Sequence, residues 1–147
     1  MPSMTSEQRS NLGALFEPKS IALIGATDKS PWSLNTLRNI QASGFADEHI
    51  YLVNPRTPEV HGLKTYPSIE SLPEVVDLVF VMVPTGAVLE TLQSAVAKGT
   101  RAAVVLTAGF GEVGEEGKRL EQELVDFAAE SGLALLGPNG NGFINAA

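Results

Sequence analysis

The sequence predicts an α/β domain: a doubly wound, five-stranded, mainly parallel sheet flanked by helices. Three observations carry this. Five short runs rich in Val, Ile and Leu lack strict alternation, as strands covered on both faces do. Segments with helical spacing lie between most of them. Glycines and prolines punctuate nearly every junction.

The five runs are residues 20–25 (SIALIG), 49–53 (HIYLV), 77–83 (DLVFVMV), 101–107 (RAAVVLT) and 133–136 (LALL). Of the helical segments, residues 33–43 place Leu34, Leu37 and Ile40 on one face, and Gly44 is a natural stop. Residues 85–98 repeat the pattern with Val88, Leu89, Leu92, Ala95 and Val96, ended by Gly99. Residues 115–130 carry Leu120, Leu124, Val125, Phe127 and Ala128. There Glu115 and Glu116 complement the positive start of the helix. A short turn at residues 68–72 precedes Pro73, and residues 5–15 form an extra helix ahead of the first strand. Parallel strands need crossover connections, which are right-handed almost without exception, so the order β-α-β-(short)-β-α-β-α-β gives a Rossmann-like sheet. Residues 1–15 are set apart as an N-terminal extension and residues 16–147 as the domain proper. The sequence stops after GPNGNGFINAA without a closing helix, as a domain cut from a longer polypeptide would.

Composition narrows the function classes. The 147 residues are 44% apolar and 18% charged, which fits a packed globule. A net charge of -7 argues against nucleic acid and against a basic membrane-binding face. It leaves room for a phosphorylated small ligand, because a local cluster of donors can sit inside an acidic protein. No cysteine is present, which removes disulfides and thiolate metal sites. No apolar run approaches the roughly 20 residues of a membrane span, and the cytoplasm is the expected compartment.

In open α/β sheets ligands bind beyond the carboxyl ends of the strands. The first loop there is Gly25-Ala26-Thr27-Asp28-Lys29-Ser30, followed by Pro31, Trp32 and Ser33. Small residues let backbone N–H groups approach a phosphate, Thr27, Ser30 and Ser33 add hydroxyls, and a helix N-terminus follows. An ordinary turn with Ser33 as helix N-cap is the competing reading. A dinucleotide fingerprint would need glycines where Thr27 and Ser30 stand. Asn54-Pro55-Arg56 follows the second strand, where an NAD site usually has an acid; Arg56 suits a phosphorylated ribose, whether 3′ as in CoA or 2′ as in NADP. By itself Arg56 also reads as a solvated charge in a Pro-ordered turn. Val83-Pro84-Thr85 can pack an adenine edge or simply stiffen a turn in which Thr85 caps the next helix. Thr107-Ala108-Gly109 allows close approach to a ligand chain or a flexible turn. Gly137-Pro138-Asn139 is a turn whose further role composition does not reveal. Trp32 is open to stacking or packing. His49 and His61 have no matching acid, nucleophile or metal set at an interpretable spacing.

Taken together, LFEPKSIALIGAT, YLVNPRTPEVHGLKTYPSIESLPEVVDLVFVMVP, VVLTAGFGEVGEEG and LLGPNGNGFIN resemble the CoA-binding domain of NDP-forming acyl-CoA synthetases. That family includes ADP-forming acetate–CoA ligase and is similar to the α-subunit of succinyl-CoA synthetase. The resemblance runs from about Leu15 to Asn145. It implies that Gly25 to Ser30 and Ser33 hold the CoA phosphates, and that Arg56, after Asn54 and Pro55, contacts the 3′-phosphate end. It also implies that Val83 and Pro84 lie beside the adenine, that Thr107, Ala108 and Gly109 follow the pantetheine arm, and that Gly137, Pro138 and Asn139 stand near the thiol. The family often has Cys, or a similarly small residue, after G-P-N, and here Gly140 and Asn141 follow. ATP, Mg and the phosphorylated histidine of this family belong to other domains. The expected partners are therefore CoA or acyl-CoA and the remaining ligase domains or subunit, with catalysis outside these residues. An NADP-binding oxidoreductase domain and a CoA-sensing regulatory module are the alternatives.

Overall fold

A computed structural model describes residues 5–106 and 114–137. Its elements in chain order are helices α1 (Ser6–Ser10) and α2 (Leu12–Phe16), strand β1 (Ile21–Ile24), helix α3 (Pro31–Ala42) and strands β2 (Ile50–Val53), β3 (Glu59–Val60), β4 (Leu63–Tyr66) and β5 (Leu78–Val81). Helix α4 (Val88–Lys98), strand β6 (Ala102–Val105), helix α5 (Gly114–Ser131) and strand β7 (Ala134–Leu136) complete it. The sheet order is β3-β4-β2-β1-β5-β6-β7. Every neighbouring pair is parallel except β3 with β4.

The five apolar runs are β1, β2, β5, β6 and β7, and alternation within them sorts side chains to two faces. Ala22, Ile24, Val79 and Val81 pack with Val88 and Leu92 of α4 and Leu124 and Ala128 of α5. Ile21, Leu23, Leu52 and Leu78 pack with Ala14 of α2 and Leu37 and Ile40 of α3. Both faces are thus buried, as a parallel sheet requires. The four central strands are in flush register: Ile24 lies beside Val53 and Val81, and Val81 beside Val105. Among the described residues, no helix is long and apolar enough to cross a membrane.

The sheet has seven strands rather than five. β3 and β4 form a hairpin added at the β2 edge, in a segment that none of the five apolar runs covers. Its turn residues His61 and Gly62 have φ of 54° and 79°, and positive φ at both central positions marks the tight hairpins that match strand twist. As a polar edge the segment carries no apolar run: Val60 and Thr65 are buried while Glu59 and Lys64 are exposed.

The expected N-terminal helix divides at Asn11 into α1 and α2. Thr5 and Gln8 cap α1 reciprocally, each backbone N–H donating to the other's side-chain oxygen at 2.9 and 3.1 Å. Asn11 and Gln8 then donate to the carbonyls of Gly132 and Leu133, which joins this segment to the start of β7. Helix α3 starts two residues before the expected point, with Pro31 in its first turn and Ser30 at the N-cap position. Ser33 therefore does not cap α3; it lies inside the first turn. Thr85 likewise belongs to a short 3-10 turn, Thr85–Ala87, ahead of α4.

Candidate functional site

The carboxyl ends of β1, β2 and β5 meet at Gly25. Its N–H donates to the Val53 carbonyl, and its φ is 90°. A Cβ here would lie 2.7 Å from the Met82 carbonyl oxygen, so no side chain fits between the exits of β1 and β5. Gly137 makes the same approach one strand pair further along, where a Cβ would lie 2.6 Å from the Val105 carbonyl oxygen.

Beyond Gly25 the loop turns on itself. Ala26 is fully buried, Lys29 donates its N–H to the Thr27 hydroxyl at 3.2 Å, and Ser30 donates to the Thr27 carbonyl. The Thr27 N–H donates to Ser33 Oγ at 3.0 Å. Ser33 is 1% exposed, so its hydroxyl supports the loop from beneath rather than facing solvent. Asp28 and Lys29 are exposed on the outer side.

Asn54 links this loop to its neighbour. Its Nδ2 donates to the Ala26 carbonyl at 2.9 Å, and its Oδ1 accepts the N–H groups of Arg56 and Thr57 at 2.8 and 3.0 Å. That pattern is an Asx turn, reinforced by Pro55. It presents Arg56 as an exposed side chain, whose guanidinium makes no ion pair among the described residues. On the other side Val83 touches the place a Gly25 side chain would take, and the Pro84 carbonyl accepts the Ala87 N–H.

His61 is the residue that sequence reasoning missed. From the hairpin turn its Nε2 lies 2.8 Å from Ser33 Oγ and its Nδ1 lies 3.0 Å from Asp28 Oδ1, with only 4% of its side chain exposed. Its backbone N–H donates to the same Asp28 oxygen at 2.8 Å. With Nδ1–H donating to Asp28 and Nε2 accepting the Ser33 O–H, every group in the set has a partner. Ser, His and Asp in this order resemble a hydrolytic triad, but a nucleophile must reach a carbonyl. Ser33 is buried and its oxygen already accepts the Thr27 N–H, so the set is architectural. No spacing in the sequence pairs positions 28, 33 and 61; only the hairpin brings them together. His49 lies on a different edge, beside Glu48 and Glu74.

The structure thus gathers Gly25, Ala26, Thr27, Asp28, Lys29, Ser30, Ser33, Asn54, Pro55, Arg56, Val83 and Pro84 along one rim. Thr107, Ala108, Gly109 and Asn139 lie outside the described residues. The arrangement offers a glycine-opened floor, a braced loop at a helix N-terminus and two exposed cations, Lys29 and Arg56. Such a rim suits an elongated ligand carrying more than one phosphate.

Comparison with known proteins shows a family. A model of the family described as CoA binding domain matches residues 19–146. The α-subunit of acetate–CoA ligase [ADP-forming] II from Pyrococcus furiosus is 41% identical over 135 residues, covering 91% of this chain and 29% of that protein. A trans-feruloyl-CoA synthase from an unknown prokaryotic organism is 39% identical over 132 residues, covering 89% of this chain and 18% of that protein. Among solved structures, the dinucleotide-forming acetyl-coenzyme A synthetase 1 of Ca. Korarchaeum cryptofilum in its apo form superposes with a TM-score of 0.77 at 40% identity. That likeness covers 87% of this chain and 28% of the other. The chain spans less than a third of the length of these relatives.

Proposed function

Since the chain belongs to the CoA-binding domain family, we propose that it binds coenzyme A along the carboxyl-end rim as the CoA-binding part of an ATP-dependent, NDP-forming acyl-CoA synthetase. In this reading the loop from Gly25 to Ser30, braced by Ser33, takes the diphosphate, and Arg56 takes the 3′-phosphate. Val83 and Pro84 border the adenine, and Thr107, Ala108, Gly109 and Asn139 lie toward the pantetheine and thiol. ATP and Mg act in other parts of the larger ligase, which activate the acid whose acyl group meets the CoA thiol.

The observation that carries the proposal is the Asn54 linkage. One side chain ties the diphosphate loop, through Ala26, to the turn that presents Arg56. The two phosphate-binding elements are thereby held relative to each other before any ligand arrives, which lowers the ordering cost of binding. Relatives named for acetate and for trans-ferulate match this chain almost equally well, at 41% and 39% identity. That supports selection of the acyl group elsewhere in the ligase.

Calorimetric titration of the chain with CoA, dephospho-CoA and NADPH tests the proposal. Arg56→Ala is expected to weaken CoA by about tenfold or more while leaving dephospho-CoA within about twofold, as loss of a charged hydrogen-bonding partner predicts. Equal losses for both ligands overturn the Arg56 assignment. A response to NADPH with none to CoA overturns the function.

A further inference from the structure

Asp28 poses a problem for the loop just described: it puts a carboxylate at the edge of a place meant for phosphates. Two groups of His61 meet that carboxylate, the backbone N–H at 2.8 Å and Nδ1 at 3.0 Å, both on Oδ1. The same imidazole reaches Ser33 Oγ at 2.8 Å, and that oxygen holds the Thr27 N–H at 3.0 Å. A single buried ring therefore fixes the outer arm of the loop through Asp28 and its inner arm through Ser33. The ring also occupies a backbone position with φ of 54°, unusual for a residue with a Cβ, though His is among the side chains that tolerate it. Among the described residues His61 is the only one other than glycine with a positive φ.

We propose that His61 is a positioning residue for nucleotide binding: from the β3–β4 hairpin it holds the diphosphate loop in its ligand-ready shape and keeps the Asp28 carboxylate turned onto the hairpin. This rests on the CoA reading above for the identity of the ligand, but the loop brace itself does not. The ring needs no contact with the ligand. It acts by removing alternative loop conformations, so binding does not have to pay for ordering them. Because the diphosphate is common to CoA and dephospho-CoA, His61 serves both ligands alike, whereas Arg56 serves the one with the 3′-phosphate.

The test uses the whole chain with His61→Asn and Ser33→Ala. Asn is at home at positive φ, so the hairpin turn survives, but its shorter side chain cannot bridge Asp28 and Ser33 together. Two readouts are taken: amide exchange at Thr27 by NMR, and Kd for CoA and dephospho-CoA. Exchange at Thr27 is expected to rise by about tenfold or more in both variants while β1 and β5 amides stay protected, as local opening does. Both ligands are expected to weaken in His61→Asn by a similar factor, on the order of tenfold. Unchanged Thr27 exchange in His61→Asn overturns the brace. Selective loss of CoA over dephospho-CoA in that variant overturns the assignment of His61 to the diphosphate loop. If the unsubstituted chain binds neither ligand while its Thr27 amide is protected and released by His61→Asn, the CoA reading fails and the brace stands.

Discussion

The two ends of this sheet use the same polar residue types to different effect. At the amino ends of the strands, Asp77 accepts the Lys19 N–H at 2.8 Å and pairs with Arg101 at 3.3 Å, while its own N–H donates to Ser20 Oγ. Ser20 in turn donates to the Val75 carbonyl, and the Asp77 carbonyl accepts the Ala102 N–H. These bonds run between the starts of β1, β5 and β6 and lock the strands to one another. At the carboxyl ends, Ser33, Asp28, Asn54 and His61 tie loops to loops and leave Lys29 and Arg56 exposed. A Ser and an Asp at one end join strand to strand, and at the other they join loop to loop. Placement along the strand, not residue type, separates the two roles.

The largest expected effect would break the comparison at its hinge. Gly25→Val forces a Cβ to 2.7 Å from the Met82 carbonyl at a φ of 90°, and should cost about 3–4 kcal/mol or prevent folding. A thermal melt should fall by roughly 10 °C for a chain of this size, and CoA binding should vanish with it. Asp77→Ala probes the scaffold end alone. It strips partners from the Lys19 N–H and from Arg101, and about 2 kcal/mol of stability should go while the Kd for CoA in folded protein stays unchanged. Asn54→Ala is the opposite case. It removes three hydrogen bonds at a half-buried site, costing about 1–2 kcal/mol, but CoA affinity should fall about tenfold. If Asp77→Ala weakened CoA as much as Asn54→Ala does, the division between the two ends would be lost.

The smallest effect sharpens the scaffold side. Tyr51 is buried, and its pKa is pushed up to about 12, first by that burial and then by the hydrogen bond it donates to Glu74. In the unfolded chain the phenol ionises near its ordinary value of about 10. Between those values the unfolded state gives up its proton first, so stability is intact below pH 10 and declines as pH rises toward 12. Denaturant unfolding of Tyr51→Phe across that range should show a shallower decline than the parent chain.

Much of the fold was legible because burial on both faces writes itself into composition. Residues such as Ala22 and Leu23, adjacent in β1 and fully buried on opposite faces, leave no polar position to confuse the reading. The β3–β4 hairpin escaped because an edge strand needs only a few apolar residues, here mainly Val60. The rim loops were legible from their place after the strands and from their small residues. Their internal wiring was not. Ser33 reads as an N-cap until Pro31 starts the helix ahead of it, and His61 reads as unpartnered because its partners lie 28 and 33 positions away. Local pattern encodes periodicity and turns, while a side-chain bond across such separations follows only once the sheet has assembled.

The level alignment of β2, β1, β5 and β6 has a consequence for how such a domain can change. With neighbouring strands about 4.8 Å apart, four matched exits form a shelf on the order of 14 Å long, over which an extended molecule meets every loop at one height. Deleting one residue from any of these strands would drop its loop by about 3.3 Å and at the same time exchange the side chains of its two faces. Shelf height and core composition are geared to the same teeth. A change that leaves both the shelf height and the core intact therefore falls in the loops themselves.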